Sequence, residues 1–263
     1  MSNQPGVLYI VATPIGNLDD LSPRALLTLN EVGLIAAEDT RHSAKLLKHF
    51  GILTPVMAFH EHNEREETPK LTAVLSKGKS LALISDAGTP LVSDPGYRLV
   101  RAAHAAGIRV VPLPGACAAS AALSASGLPC DRFAFEGFPP VKSTARRSWL
   151  EALAREPRTL IFYESPHRIV ESLQDMAAVF GDARAAVYAR ELSKQFETVR
   201  HATLGELLAW VAADPNQQRG EIVVLVHGAV AAETETSEDA ARILRILTKE
   251  LPVSQAAALA AEI

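Results

Sequence analysis

The sequence is 263 residues long, room for one large α/β domain or two modest ones. Hydrophobic residues at 48% and charged residues at 21% exclude a disordered or disulfide-stapled chain. A formal net charge of −4 excludes a generally basic nucleic-acid binder, so any RNA contact has to come from a local patch.

The two cysteines, Cys117 and Cys130, form no CxxC pair and point to neither a zinc site nor a disulfide framework. No apolar run reaches the roughly 18 residues of a membrane span and no leader pattern opens the chain, so a cytoplasmic protein is expected.

Apolar runs alternate with helical patterns. Strands are expected at 7–14 (VLYIVATP), 33–39, 55–62, 80–86 and 109–115, then at 133–140, 159–166, 185–192 and 221–228. The helices between them are punctuated. Ser22 reads as an N-cap with Pro23 in the first turn, Thr68-Pro69 repeats the device, and Asp94-Pro95 opens a helix that stops at Gly107. This alternation predicts an α/β fold. It has an N-terminal α/β domain over 1–125 and a C-terminal α/β domain over 126–232, with mainly parallel or mixed sheets and a ligand cleft between them. From 233 to 263 the acidic stretch TETSED leads into an amphipathic helix, a Leu-Pro break and an Ala-rich helix. The chain stops at Ile263 without a C-cap, so this helical tail is expected to be incomplete.

Most of the strands end in polar or turn residues: ATPIGN, AEDTRH, FHEHNE, SDAGTP, PLPGA, EGFPP, YESPHR and ARELSK. Parallel strands present their carboxyl ends on one edge, where ligands bind, so these endings are expected to converge on one crevice. The segment SLALISDAGTPLVSDPG, residues 80–96, is the richest. Gly88 leaves room for a ligand against backbone, while Asp86 and Thr89 supply polarity. A DxDGT phosphatase is excluded because Ala87 stands where the second carboxylate belongs. The first loop has only Gly16 and lacks the GxGxxG cradle, which favours a ligand without a pyrophosphate. His60 and His62 alternate across the expected strand instead of sharing a face, which argues against a metal site. The basic concentrations KSTARR, with Arg146 and Arg147, YESPHR and ARELSK read equally as solvated ion-pair networks or as an RNA contact.

The order ATPIGNLxDLSPRA, AEDTR, SDAGTPxxSDPG, PLPGA, FYESPHR and RELSK resembles the bacterial small-subunit ribosomal RNA cytidine 2′-O-methyltransferases over nearly the whole chain. These belong to the tetrapyrrole methylase family, the class III S-adenosylmethionine-dependent methyltransferases. The resemblance implies S-adenosylmethionine as cofactor, an assembled small ribosomal subunit carrying the target RNA, and a homodimer. It places cofactor contacts on Pro14, Asp86, Ala87, Gly88, Thr89, Val92, Cys117, Ala118 and Leu192. The Gly-Asp-Pro of the wider family is Gly88-Thr89-Pro90 here, which favours the ribosomal branch over a tetrapyrrole substrate.

A ribose hydroxyl is a poor nucleophile while protonated, and Asp39, Glu61 and Glu164 at strand ends are the candidate bases. His42, His60 and His167 stand behind them, and Arg41, Arg168, Lys194, Arg146 and Arg147 are candidates for holding RNA. Two other readings stay open: a small-molecule methyltransferase acting on a corrin-type precursor, and a non-catalytic ribosome-binding adaptor.

Overall fold

The computed structural model describes residues 4–230, 242–249 and 251–262, and among them ten strands form two five-stranded sheets. The first sheet is wholly parallel. It contains β1 (Val7–Val11), β2 (Leu34–Ala37), β3 (Val56–Ala58), β4 (Leu81–Ile84) and β5 (Arg109–Leu113), in the order β3-β2-β4-β1-β5. Helices α1 (Pro23–Glu31) and α2 (Thr40–His49) cover one face, setting Leu29 and Leu47 against Ile35 and Ile84. Helices α3 (Glu64–Ser76) and α4 (Tyr97–Ala105) cover the other, setting Leu71, Leu75 and Leu99 against Leu8 and Leu83. The chain leaves β1 toward one face and β4 toward the other, and these strands are neighbours. Their loops therefore diverge at the carboxyl edge and leave a crevice between them.

The second sheet contains β6 (Phe133–Gly137), β7 (Thr159–Glu164), β8 (Ala185–Arg190), β9 (Thr198–Thr203) and β10 (Ile222–Val226). Its order is β6-β7-β10-β8-β9, with β6–β7 parallel and the remaining pairs antiparallel. Helices α6 (Ser143–Leu153), α7 (Ile169–Phe180) and α8 (Leu204–Ala213) bury one face. The other face is covered by α5 (Ala118–Ser126), which arrives directly from the first sheet. Its Ala119, Ala122 and Leu123 pack on Ile161, Val187, Val223 and Leu225, with Ile15 of the first loop beside them. One apolar layer thus joins the two lobes.

The two-lobed α/β plan expected from the sequence is the one observed, with differences at element ends. The strands stop short of their expected limits, since the polar endings are loops. His60 and His62 consequently lie in the turn after β3, not on the strand, and their rings meet at 5.9 Å.

Helix α3 begins at Glu64, ahead of the expected Thr68-Pro69 start. Glu64, Glu66 and Glu67 complement the dipole in its first turn, and Pro69 deprives only the carbonyl of exposed Arg65 of a helical donor. Helix α4 begins at Tyr97, not at Asp94-Pro95. Its leading amides are capped from another helix: buried Glu64 accepts from the N–H groups of Gly96 and Arg98, both at 3.0 Å. Asp94 is thereby released from a capping role. Strand β9 escaped the sequence reading because TVRHAT is a polar edge strand with exposed Arg200 and His201, so it lacks an apolar alternation.

In the tail, helical residues 242–247 and a terminal helix, Val253–Glu262, flank the expected break at Leu251-Pro252. The TETSED stretch lies outside the described residues.

Candidate active site

The crevice between β1 and β4 is stitched at its base by the backbone. Thr13 and Gly88 exchange N–H···O=C bonds of 2.9 and 3.0 Å, and Gly88 holds φ +83°. A Cβ there would lie 3.3 Å from Ile15 Cγ2 and 3.6 Å from the Ala116 carbonyl oxygen, in a conformation that side chains rarely adopt. The Thr89 hydroxyl donates to that same carbonyl at 3.0 Å and so ties the loop after β4 to the segment entering α5. From the second lobe, the Tyr163 phenol accepts from the Ala119 N–H at 3.2 Å, supplying the cap that Cys117 does not.

Two matching turns close the cavity from opposite lobes. Leu91 and Ser93 (φ +73° and +68°) flank Val92, and Glu191 and Ser193 (φ +53° and +67°) flank Leu192. Left-handed backbone at a non-glycine residue costs on the order of 1 kcal/mol, and here it aims Val92 and Leu192 into the same space. Packing between the lobes holds the second turn. Ser193 donates to Asp20 of the first lobe, and Lys194 lies so close to Gly16 that a Cβ there would sit 2.4 Å from its Cγ.

These elements enclose a cavity of about 400 Å³, in the size range of small-molecule sites. Asp86, Ala87, Gly88, Thr89, Val92, Cys117, Ala118 and Leu192 all line it, so eight residues drawn from separate parts of the sequence converge. Pro14 does not line it and its neighbour Ile15 does.

Three carboxylates, Glu38, Asp86 and Asp94, share one side, and no Lys, Arg or His is among the described lining residues. Asp86 accepts from the Asp39 N–H at 3.1 Å. Burial pushes Glu38 above the usual carboxylate range, reinforced by the charges of Asp86 and Asp39. Burial raises Asp94 to about 6, with Glu38 and Asp86 adding to the shift and a hydrogen bond with Ser85 opposing it. Such a cavity lacks a positive charge.

The other expected site residues fall elsewhere. Asp39 caps α2 and is held at about 2 by the forked Arg41 guanidinium and its N–H, which makes it a poor proton acceptor. Glu61 is exposed in the turn after β3 and is not part of the wall. Glu164 is at the wall, but its carboxylate is buried and accepts from Arg168 Nε at 2.5 Å, Ser165 N at 2.7 Å and the Ser172 hydroxyl. These bonds fix the YESPHR turn and leave Glu164 no free oxygen for proton transfer.

Arg146 is wholly buried, with Nε on Asp175 at 2.7 Å, so it packs α6 on α7 and cannot meet RNA. Half-exposed Arg147 shares Asp175 at 2.6 Å. Lys194 bridges Glu191 at 2.8 Å and Glu221 at 3.1 Å within the second lobe and is likewise committed to the loop. His167 and Arg168 line a separate hollow of about 350 Å³ with Val170 and Gln218, while Arg41 and His42 are exposed on the first turn of α2.

Asp94, Glu38, Tyr163 and Phe138 are wall residues that the site assignments from sequence passed over. Asp94 was masked by the Pro after it, which reads as a helix start. Phe138 was masked by a run that reads as strand. It is 53% exposed, a cost without a packing return, and its ring meets Tyr163 edge-on at 5.6 Å.

A family model of tetrapyrrole (corrin/porphyrin) methylases matches residues 7–208, and the model "RsmI C-terminal HTH domain" matches residues 234–263. The chain is 65% identical over 260 residues to ribosomal RNA small subunit methyltransferase I of Pseudomonas aeruginosa, covering 98% of this chain and 92% of that one. The chain belongs to this methyltransferase family. The Escherichia coli O157:H7 member is 58% identical over 261 residues, covering 99% of this chain and 91% of its own. Among solved structures the methyltransferase CobJ superposes with a TM-score of 0.63 at 21% identity, covering 85% of this chain and 95% of that one. Diphthine synthase superposes at 0.61 and 17%, covering 84% and 90%. These two likenesses establish the fold alone.

Members of this family are S-adenosylmethionine-dependent methyltransferases, and the chain is one. Its cavity fits the cofactor. The acidic wall answers the positive sulfonium and ammonium groups. Ile15, Val92, Leu192 and Val223 offer an apolar bed, and the Gly88 backbone permits close approach.

Gly88→Leu is expected to stay folded by circular dichroism yet lose S-adenosylhomocysteine binding by at least about a hundredfold in calorimetry, roughly 2.7 kcal/mol. Undiminished affinity would place the cofactor elsewhere.

Proposed function

We propose that this chain transfers a methyl group from S-adenosylmethionine to the ribose 2′-hydroxyl of a cytidine in small-subunit ribosomal RNA. It would act on the assembled subunit, in the cytoplasm, as a homodimer. The observation that carries the reading is an acidic cavity of about 400 Å³ built by loops of both lobes in a chain 65% identical to a ribosomal RNA small subunit methyltransferase. No helix among the described residues is long and apolar enough to cross a membrane.

Bound in the cavity, S-adenosylmethionine would supply an electrophilic methyl group on its sulfonium. The protein has to orient the hydroxyl, exclude water and take up one proton. Orientation supplies much of the acceleration in a displacement between two bound partners. Phe138 offers the nucleobase a stacking face at the rim, backed by the edge-on Tyr163 ring. The proton acceptor we assign is Asp94. It is half-buried on the wall, its carboxyl is raised to about 6, and it lies beside the aromatic rim, since the Gly137 position approaches Ser93 Oγ. As the ribose oxygen bonded to the methyl carbon, the carbon–sulfur bond would break and leave the neutral thioether S-adenosylhomocysteine, and the hydroxyl hydrogen would pass to an Asp94 carboxylate oxygen.

Incubation with methyl-labelled cofactor and intact small subunits, naked ribosomal RNA or a tetrapyrrole precursor separates the readings. Label is expected in the RNA of intact subunits, at one nucleotide whose 3′ linkage resists alkali, because a 2′-O-methyl group removes the attacking hydroxyl. Label only in the tetrapyrrole, or in an alkali-sensitive nucleotide, would contradict the assignment.

The base is tested by pH. Below about 6 the Asp94 carboxyl keeps its proton and cannot accept another, so kcat/KM should fall about tenfold per pH unit on that side and level off above it. Asp94→Asn should lower kcat, measured at saturating cofactor, by about 10²–10⁴ and erase that limb. A retained limb in the variant would assign the titration to another group.

A further inference from the structure

Helix α2 is the most basic of the described elements in an acidic chain. Its ten residues, Thr40–His49, hold Arg41, Lys45 and Lys48 with His42 and His49, and no Asp or Glu. All five are exposed, while Ser43 and Leu47 face the core. At 100° per residue, Lys48, Arg41, Lys45, His49 and His42 follow one another around an arc of about 120°. No carboxylate pairs with Lys45 or Lys48 among the described residues. Arg41 does have a partner, Asp39 at 3.1 Å, but its side chain is 91% exposed, and a contact of that kind exchanges readily with another anion.

Folding alone does not account for this arrangement. Lys48 and His49 suit the negative end of the helix dipole, whereas Arg41 and His42 sit at the positive end, where cations are disfavoured. A helix needing only solubility would carry mixed charges at i, i+4 spacing, as α3 does with Lys70 between Glu66 and Glu67. The position is also specific. Glu38, two residues before α2, lines the cavity, and the Asp39 N–H bonds to Asp86 of the opposite loop, so the helix starts at the cavity rim. It then runs about 15 Å away from it. The turn carrying His60 and His62 follows β3, the neighbour of β2, and His60 Nδ1 is buried without a hydrogen-bond partner among the described residues.

We infer that the outward face of α2 is the surface that holds RNA phosphates and leads the strand to the cavity. This rests on the ribosomal RNA reading above and names the surface that reading needs. An anionic cavity repels a phosphate backbone, so a nucleotide enters it only if the flanking phosphates are held by cations outside. Arg41, Lys45 and Lys48 follow one another at rises of about 6 and 4.5 Å along one exposed face, and phosphate contacts of this kind position RNA without reading its sequence.

The test uses the full chain and small ribosomal subunits purified from cells that lack the methylation. Subunit binding is measured across a salt series for wild type, for Lys45→Gln with Lys48→Gln, and for a control of Arg101→Gln with Arg109→Gln on exposed positions of α4 and β5. Each lost phosphate contact reduces the slope of log K against log[salt] by about 0.7–0.9, so the α2 variant should lose about 1.4–1.8 and bind more weakly at low salt. The control should keep the wild-type slope, and all three proteins should bind S-adenosylhomocysteine equally. An unchanged slope in the α2 variant, or an equal loss in the control, would overturn the inference while wild-type methylation of the subunits left the functional reading standing. Wild type that neither bound nor methylated the subunits would take both down.

Discussion

The site depends on where α5 goes. Helix α5 follows the last strand of a parallel sheet, but it packs on the open face of the other sheet, with Ala119, Ala122 and Leu123 against Ile161, Val187, Val223 and Leu225. Its small side chains let the helix lie close to the strands, and burial of that apolar layer joins the lobes. Because the helix begins at Cys117-Ala118, the same packing brings the end of the first sheet under the loops of the second. Tyr163 fastens the join by capping the α5 amide, and Ser193 and Asp20 close it from the other side. The cavity is a consequence of that crossing.

Charge is arranged in two zones that serve different ends. Inside, burial first and the mutual proximity of Glu38, Asp86 and Asp94 second raise the carboxyls of Glu38 and Asp94. A cationic cofactor in the cavity would relieve that crowding, while burial, the larger cause, would still raise Asp94, the proton acceptor proposed above. Outside, α2 concentrates positive charge in a chain whose total is negative. The net charge of −4 therefore describes neither zone, and an acidic protein can act on RNA through one short helix.

The fold was legible because its rules are local. Continuous apolar runs marked the strands, Ser22-Pro23 marked a helix start, and the polar endings marked the functional edge. The cavity loops were legible for the same reason, since Gly88 and its neighbours interrupt a buried strand with groups that a core cannot use. What escaped depends on contacts distant in sequence. That Glu64 would cap α4, releasing Asp94 to the cavity, is set by packing between two helices, and local pattern alone favoured Asp94-Pro95 as the cap. Arg146 reads as one cation of a basic run until α7 brings Asp175 to it and buries it. Of the α2 face the sequence reading singled out Arg41 and His42, whereas Lys45, Lys48 and His49 were passed over because they are spread at helical spacing and KSTARR is contiguous.

The most direct test of the two-lobe cavity is hydrogen–deuterium exchange with and without S-adenosylhomocysteine. Ligand protection is expected together in residues 86–93 and 115–119 of the first lobe and in 190–193 and 220–223 of the second. Protection confined to one lobe, with the other exchanging as in the free protein, would contradict the account.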